Sequence, residues 1–124
     1  MLDGDRLVAF IATADANRAR AFYEGVLGLT FVADHGQLLV FDSGPSRLMI
    51  ERVDAVTPRS GTVLGWNVKD LRRRIHDLMA RGVVFERFEG MDQDDLGVWR
   101  PAGADSGVAW FKDPDGTLLS LSLA

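Results

Sequence analysis

The chain has 124 residues, 14 basic and 18 acidic side chains, a net charge of −4 and no cysteine. That length suits one domain, and 47% hydrophobic residues suffice for one packed core. Lack of cysteine excludes disulfides, thiolate metal sites and cysteine nucleophiles, the interspersed charge offers no basic patch for nucleic acid, and no apolar run nears the ~20 residues that span a bilayer.

Arg6 to Thr13 is an apolar run rich in Val, Ile and Phe and reads as a buried strand. Asp15 follows as an N-cap, its carboxylate placed to accept from the free N–H groups of a first helical turn. Ala19, Phe22, Tyr23, Val26 and Leu27 then form one helical stripe, and Gly28 stops the helix. Leu29 to Ala33 is the next strand, with Asp34-His35-Gly36 as a hairpin turn. Gln37 to Phe41 and Arg47 to Val53 are two further strands around Ser43-Gly44-Pro45-Ser46, which completes βαβββ. Asp54 to Gly61 reads as a linker.

The second half repeats the order. Thr62 to Val68 is a strand, Asp70 the cap, Leu71, Ile75, Leu78 and Met79 the helical stripe, Gly82 the stop and Val83 to Phe88 the next strand. Glu89 to Ala104 is longer than its counterpart and carries Met91, Asp92, Asp94, Asp95, Trp99 and Arg100. Val108 to Lys112 is a strand, Asp113-Pro114-Asp115-Gly116 a tight turn, and Thr117 to Leu123 the closing strand. The capping aspartates are offset by 55 residues and the stop glycines by 54, so the two halves share a register.

Thr13-Ala14-Asp15 with Ala21-Phe22-Tyr23, Val26-Leu27-Gly28-Leu29, and Phe111-Lys112-Asp113-Pro114-Asp115-Gly116 before an apolar strand resemble the vicinal oxygen chelate superfamily. That superfamily holds glyoxalase I, bleomycin- and fosfomycin-resistance proteins and extradiol dioxygenases. The resemblance covers essentially the whole chain. It implies an α+β fold of two βαβββ modules, 1–57 and 61–124, in a single domain over 1–124. It also implies a cavity enclosed by paired half-barrels, and a homodimer.

Metal-dependent members place four ligands near the start of the first strand and on the last strand of each module. Counting seven residues back from each capping Asp gives Val8 and Val63, and the last strands give Glu51 and Ser120. Two valines and a hydroxyl leave Glu51 alone, short of the three or more protein ligands a catalytic ion needs. No metal and no cofactor are therefore expected. His35, at a hairpin tip, and His76, beside the helical stripe, read as solvated.

Strand alternation puts Arg47, Met49 and Glu51 on one face, with Val8, Phe10, Val63, Gly65, Trp110 and Ser120 on the matching parity of their strands. These line the expected cavity. There Glu51 is the candidate acid/base, its pKa raised by burial and lowered by Arg47, or the partner of a cationic ligand group; the alternative is a solvated strand-end carboxylate. Trp99, beside Asp92, Asp94 and Asp95, is a candidate ligand contact, or else a pin for its loop. Trp66 and the phenylalanines 22, 31, 85 and 111 read as core. Two functions remain open. One is a metal-free protein that binds a small organic molecule. The other is a lyase or isomerase of the glyoxalase type that uses Glu51 or an unrecognised metal site. The acidic opening Met1-Leu2-Asp3-Gly4-Asp5 lacks a positive n-region before an apolar stretch, so a cytoplasmic protein with no membrane partner is expected.

Overall fold

The computed structural model describes residues 1–101 and 106–123. The chain divides into two compact units, Met1–Thr57 and Pro58–Ala124.

In the first unit, β1 (Val8–Thr13) leads to a short α-helix, α1 (Ala16–Arg20), that widens without a break into a π-helical stretch, Ala21–Val26. Three strands follow: β2 (Thr30–Asp34), β3 (Leu38–Ser43) and β4 (Ser46–Arg52). They form one sheet in the order β1-β4-β3-β2, with β1 parallel to β4 and the remaining pairs antiparallel. Asp15 caps α1 as its position requires, its carboxylate accepting from the Arg18 N–H at 3.1 Å. The widened turn differs from the uniform helix that the spacing predicts: the Leu27 N–H donates to the Phe22 carbonyl, five residues back, at 2.9 Å. Tyr23 still reaches the core, 1% exposed, where its ring meets Phe41.

In the second unit, β5 (Leu64–Val68) precedes α2 (Leu71–Ala80), and β6 (Val108–Lys112) and β7 (Leu118–Leu123) close the chain. The order is β5-β7-β6, again with the first and last strands parallel. Asp70 caps α2 through the Arg73 N–H at 3.1 Å, the same contact as in the first unit. Leu71, Ile75 and Leu78 are buried as the stripe predicts, but Met79 is 47% exposed. It follows Leu78 by one residue, and 100° of helical rotation carries it off the buried face.

The strand expected over Val83 to Phe88 is reduced to a single bridge, Phe85 with Phe111, supplemented by the Glu86 N–H donating to the Trp110 carbonyl at 2.8 Å. The segment therefore runs beside β6, where a fourth strand belongs, without a full ladder. Side chains take over the missing backbone pairing. The Gln93 amide accepts from the Phe88 N–H and donates to the Glu86 and Gly97 carbonyls, at 2.8–3.0 Å. Among the described residues no helix is long and apolar enough to cross a membrane.

One face of each sheet holds most of its buried residues, and Val40 and Ser120 are buried on the other. Ile11, Thr13, Leu39, Phe41, Leu48 and Ile50 form the buried face of the first, toward Tyr23. Ala109, Phe111, Leu119 and Leu121 form that of the second, with α2 packed on β7. The other face of each sheet carries no helix of its own unit, and the candidate residues lie there.

Candidate functional site

In the first unit, the register pairs Val8 with Arg47, Phe10 with Met49, and Ala12 with Glu51 across β1 and β4. Leu38 on β3 faces Glu51 from the other side. Because side chains alternate, Val8, Phe10, Met49 and Glu51 share the helix-free face, while Ile11, Leu48 and Ile50 turn to the core. Val8 is 39% and Phe10 56% exposed. These are large apolar groups left open to solvent in a sheet whose opposite face is closed.

Charge on this face is arranged differently from the expectation. Arg47 was expected to act on Glu51, but its Nε donates to Asp42 Oδ1 at 3.0 Å, the residue directly opposite it on β3. Arg6 reaches the same carboxylate at 2.7 Å. The Arg47 hydrogen bond holds the Asp42 carboxyl below its ordinary value, with Arg6 adding to the effect. Arg52, next to Glu51 in sequence, points to the opposite parity and pairs with Asp34, at 2.7 and 2.9 Å. It also donates to the Gly36 carbonyl. Arg52 and the Gly36 N–H hold the Asp34 carboxyl well below the usual carboxylate range. Glu51 is exposed, and its carboxylate has no hydrogen bond or ion pair among the described residues.

In the second unit, Gly65 pairs with Ser120 and Ser120 with Trp110, so all three share the helix-free face. Val63 lies one residue before β5, its N–H donating to the Leu118 carbonyl at 2.9 Å. Ser120 is only 9% exposed. A Cβ at Gly65 would lie 2.3 Å from Ser120 Oγ, so the hydroxyl occupies the space that glycine leaves.

Trp110 is held by its indole Nε1–H, which donates to Thr62 Oγ1 at 2.8 Å. Phe88 meets it edge-on, with ring centres 5.5 Å apart. Trp99 lies 6.4 Å away at a 41° tilt. The three rings make an aromatic shelf, each half-buried. Trp99 is placed by its backbone, which exchanges hydrogen bonds with Val108 at 2.8 and 2.9 Å and bridges to Gln93. Phe88, Thr62 and Gln93 were not singled out by sequence reasoning. Phe88 was read only as the end of the strand over Val83 to Phe88.

The acidic run expected to attract a cation is largely spent inside its own loop. Asp94 Oδ1 accepts from the Leu96 and Val98 N–H groups at 2.9 Å, and Oδ2 from Arg100 at 3.0 Å. Burial pushes the Asp94 carboxyl up, but the Val98 and Leu96 N–H groups and Arg100 outweigh it and hold it below its ordinary value. Arg87 donates to the Asp94 and Asp95 carbonyls. Asp92 and Asp95 are exposed. The end of the insertion, residues 102–104, lies outside the described residues.

The donor set does not fit the superfamily's metal. Val8 and Val63 have no lone pair to give, the Ser120 hydroxyl is closed over Gly65, and one carboxylate remains. Among the described residues no group of three or more His, Asp or Glu side chains could hold an ion. His35 and His76 are both exposed, as expected of a hairpin tip and an outer helical position. Sequence reasoning also missed a groove of about 340 Å³ at the ends of β1 and β4, lined by Thr13, Ala16, Gln37, Arg52, Val53 and Asp54. None of the candidate residues lines it.

Comparison with known proteins agrees with this architecture. A lactoylglutathione lyase from Agrobacterium tumefaciens superposes with a TM-score of 0.72 at 21% identity, covering 95% of this chain and 92% of that one. A fosfomycin resistance protein from Listeria monocytogenes gives 0.73 at 13% identity, over 97% and 91%. A glyoxalase/bleomycin resistance protein/dioxygenase from Alicyclobacillus acidocaldarius gives 0.73 at 19% identity, over 96% and 90%. At these identities the likeness is one of fold. Among curated proteins none matches the chain. The family model of the Glyoxalase/Bleomycin resistance protein/Dioxygenase superfamily matches residues 5–121, and the chain belongs to that superfamily.

Proposed function

We propose that this member of the superfamily binds a small organic molecule on the helix-free faces of its sheets, without the metal of its catalytic relatives. The observation that carries the reading is the aromatic shelf of Phe88, Trp99 and Trp110. Two half-open indoles, one anchored by its N–H and one by its backbone, give a stiff apolar surface that loses little entropy on binding. The donor set at Val8, Glu51, Val63 and Ser120 supports the metal-free part of the reading. The proteins similar in fold include a lactoylglutathione lyase and a fosfomycin resistance protein, so either kind of small-molecule chemistry has precedent in this architecture.

A second reading has one observation in its favour. An acid/base group must be free to exchange its proton, and the Glu51 carboxylate has no partner among the described residues. On that reading the chain is a lyase or isomerase that uses the Glu51 carboxylate.

Elemental analysis of protein purified without chelators or an affinity tag tests the metal-free part. Less than a tenth of an equivalent of Zn, Ni, Fe or Mn is expected, and about one equivalent per chain overturns it. Trp99→Ala tests the shelf, with 3-phenylpropanol as the probe. Affinity is expected to fall severalfold, up to about tenfold, with the fold intact. A variant that loses stability and keeps its affinity makes Trp99 a pin for its loop.

A further inference from the structure

We infer that the helix-free face of the second unit takes an uncharged aromatic alcohol, whose ring lies on the aromatic shelf and whose hydroxyl pairs with Ser120. This rests on the small-molecule reading above and adds the chemical class of the ligand.

A hydroxyl without a partner carries the inference. Ser120 is 9% exposed, and its side chain makes no hydrogen bond among the described residues. A serine hydroxyl offers one donor and two acceptor lone pairs, and buried polar groups are nearly always paired. Ser122, two residues along the same strand, obeys that rule by donating to Asn67 Oδ1 at 2.6 Å. Among the described residues no side-chain oxygen or nitrogen is both sealed from solvent and unpaired. The Ser120 oxygen is unpaired, so it still opens onto the face.

Its neighbours fix how it is reached. Ser120 lies on β7, the middle strand, with Trp110 opposite it on β6 and Gly65 opposite it on β5. The Trp110 Nε1–H donates to Thr62 Oγ1, two residues before β5, so the indole extends across β7 on the side of Ser120. At Gly65 no side chain stands in the way, and Ser120 Oγ lies where a Cβ would be. Adjacent strands are about 4.8 Å apart, so a ring resting on the Trp110 indole brings a short substituent within reach of this oxygen.

The same neighbours select the substituent. Both cross-strand partners of Ser120 are neutral, and Lys112, one pair along β6 on this face, is within 3.6 Å of Glu86. An ionic group covered at this point would exchange its water for one neutral hydrogen bond, which is costly. A purely apolar ligand would cover the Ser120 oxygen and leave it unpaired. A ligand hydroxyl serves either role of the serine, as donor or as acceptor. The arrangement thus favours an uncharged alcohol by penalising the other two classes.

The test uses the full chain, labelled with ¹⁵N, and three probes: benzyl alcohol, toluene and benzoate. Benzyl alcohol is expected to move the indole N–H signals of Trp99 and Trp110 and the amides of Gly65 and Ser120, and benzoate to bind severalfold more weakly. Ser120→Ala removes only the hydroxyl. It is expected to weaken benzyl alcohol about two- to tenfold, as loss of one hydrogen bond would, and to leave toluene unchanged. Retained toluene binding shows that the variant's site is intact. If Ser120→Ala leaves benzyl alcohol unchanged, or weakens toluene as much, the pairing with Ser120 is wrong while the shelf stands. If benzoate matches the alcohol, the restriction to uncharged ligands is wrong. If no probe moves Trp99 or Trp110, the shelf does not bind such molecules, and the reading beneath this inference fails with it.

Discussion

The two units begin from the same plan and stabilise it differently. Each has a parallel outer pair, an aspartate cap at the same place on its helix, and a matched pair of phenylalanine rings: Phe31 with Phe41 at 5.5 Å, and Phe85 with Phe111 at 5.4 Å. In the first unit Phe31 sits on a strand, laddered to β3 with one irregularity between Phe31 and Ala33. In the second, Phe85 is fixed by one bridge, and the Gln93 amide and Arg87 guanidinium bind the adjoining loop. The ring pair survives while the ladder does not. Packing of the rings is thus the shared requirement, and backbone pairing is one of two ways to meet it.

The largest expected effect tests that equivalence. Phe41→Ala and Phe111→Ala each empty a fully buried site and should each cost about 3–5 kcal/mol in denaturant unfolding. If one costs less than about 1 kcal/mol, the two cores are not equivalent. Next is Gln93→Ala, which removes three hydrogen bonds from part-buried groups of the second unit and should cost about 2–3 kcal/mol. Amide exchange at Phe88 should accelerate with it, and unchanged exchange would mean that the loop does not depend on this side chain.

A smaller effect is expected at Gly65, where an added Cβ meets Ser120 Oγ at 2.3 Å and the Ser120 carbonyl at 3.2 Å. Gly65→Ala should cost about 1–2 kcal/mol, and Ser120→Ala in the same chain should recover part of it. Additive costs would show that the two side chains do not compete for one space.

The smallest effect is in acid. Asp34 and Asp42 in the first unit and Asp94 in the second have folded-state pKa values below the ordinary 3.8. A depressed carboxylate stabilises the fold above its unfolded value and loses that contribution as pH falls through the folded one. Stability should therefore decline below about pH 4, and Asp34→Asn should flatten the decline. A variant with the same acid slope as the parent would remove Asp34 from the account.

Much of this fold was legible because it is written in periodicities. Asp15 and Asp70 stand where the stripes begin, and alternation in β1, β4, β5, β6 and β7 assigned faces that the register confirms. What could not be read depends on contacts across the sheet. Nothing local says that Arg47 will prefer Asp42 to Glu51, because the choice is made by the β3–β4 register. Nothing in Val83-Val84-Phe85 says that its ladder will shrink to a bridge, since the segment has high strand propensity and the loop that follows it takes the hydrogen bonds. The π-helical turn after Arg20 has no sequence breaker except Gly25.

The central claim is that function resides on the helix-free faces, and the three tryptophans report on it directly. Trp110 is on that face of the second sheet with Trp99 against it, while Trp66 pairs with the buried Leu121 on the opposite face. Their indole N–H signals can be followed together during titration with 3-phenylpropanol. The account predicts that Trp99 and Trp110 shift while Trp66 stays in place. A shift at Trp66 with Trp99 and Trp110 unmoved would contradict it.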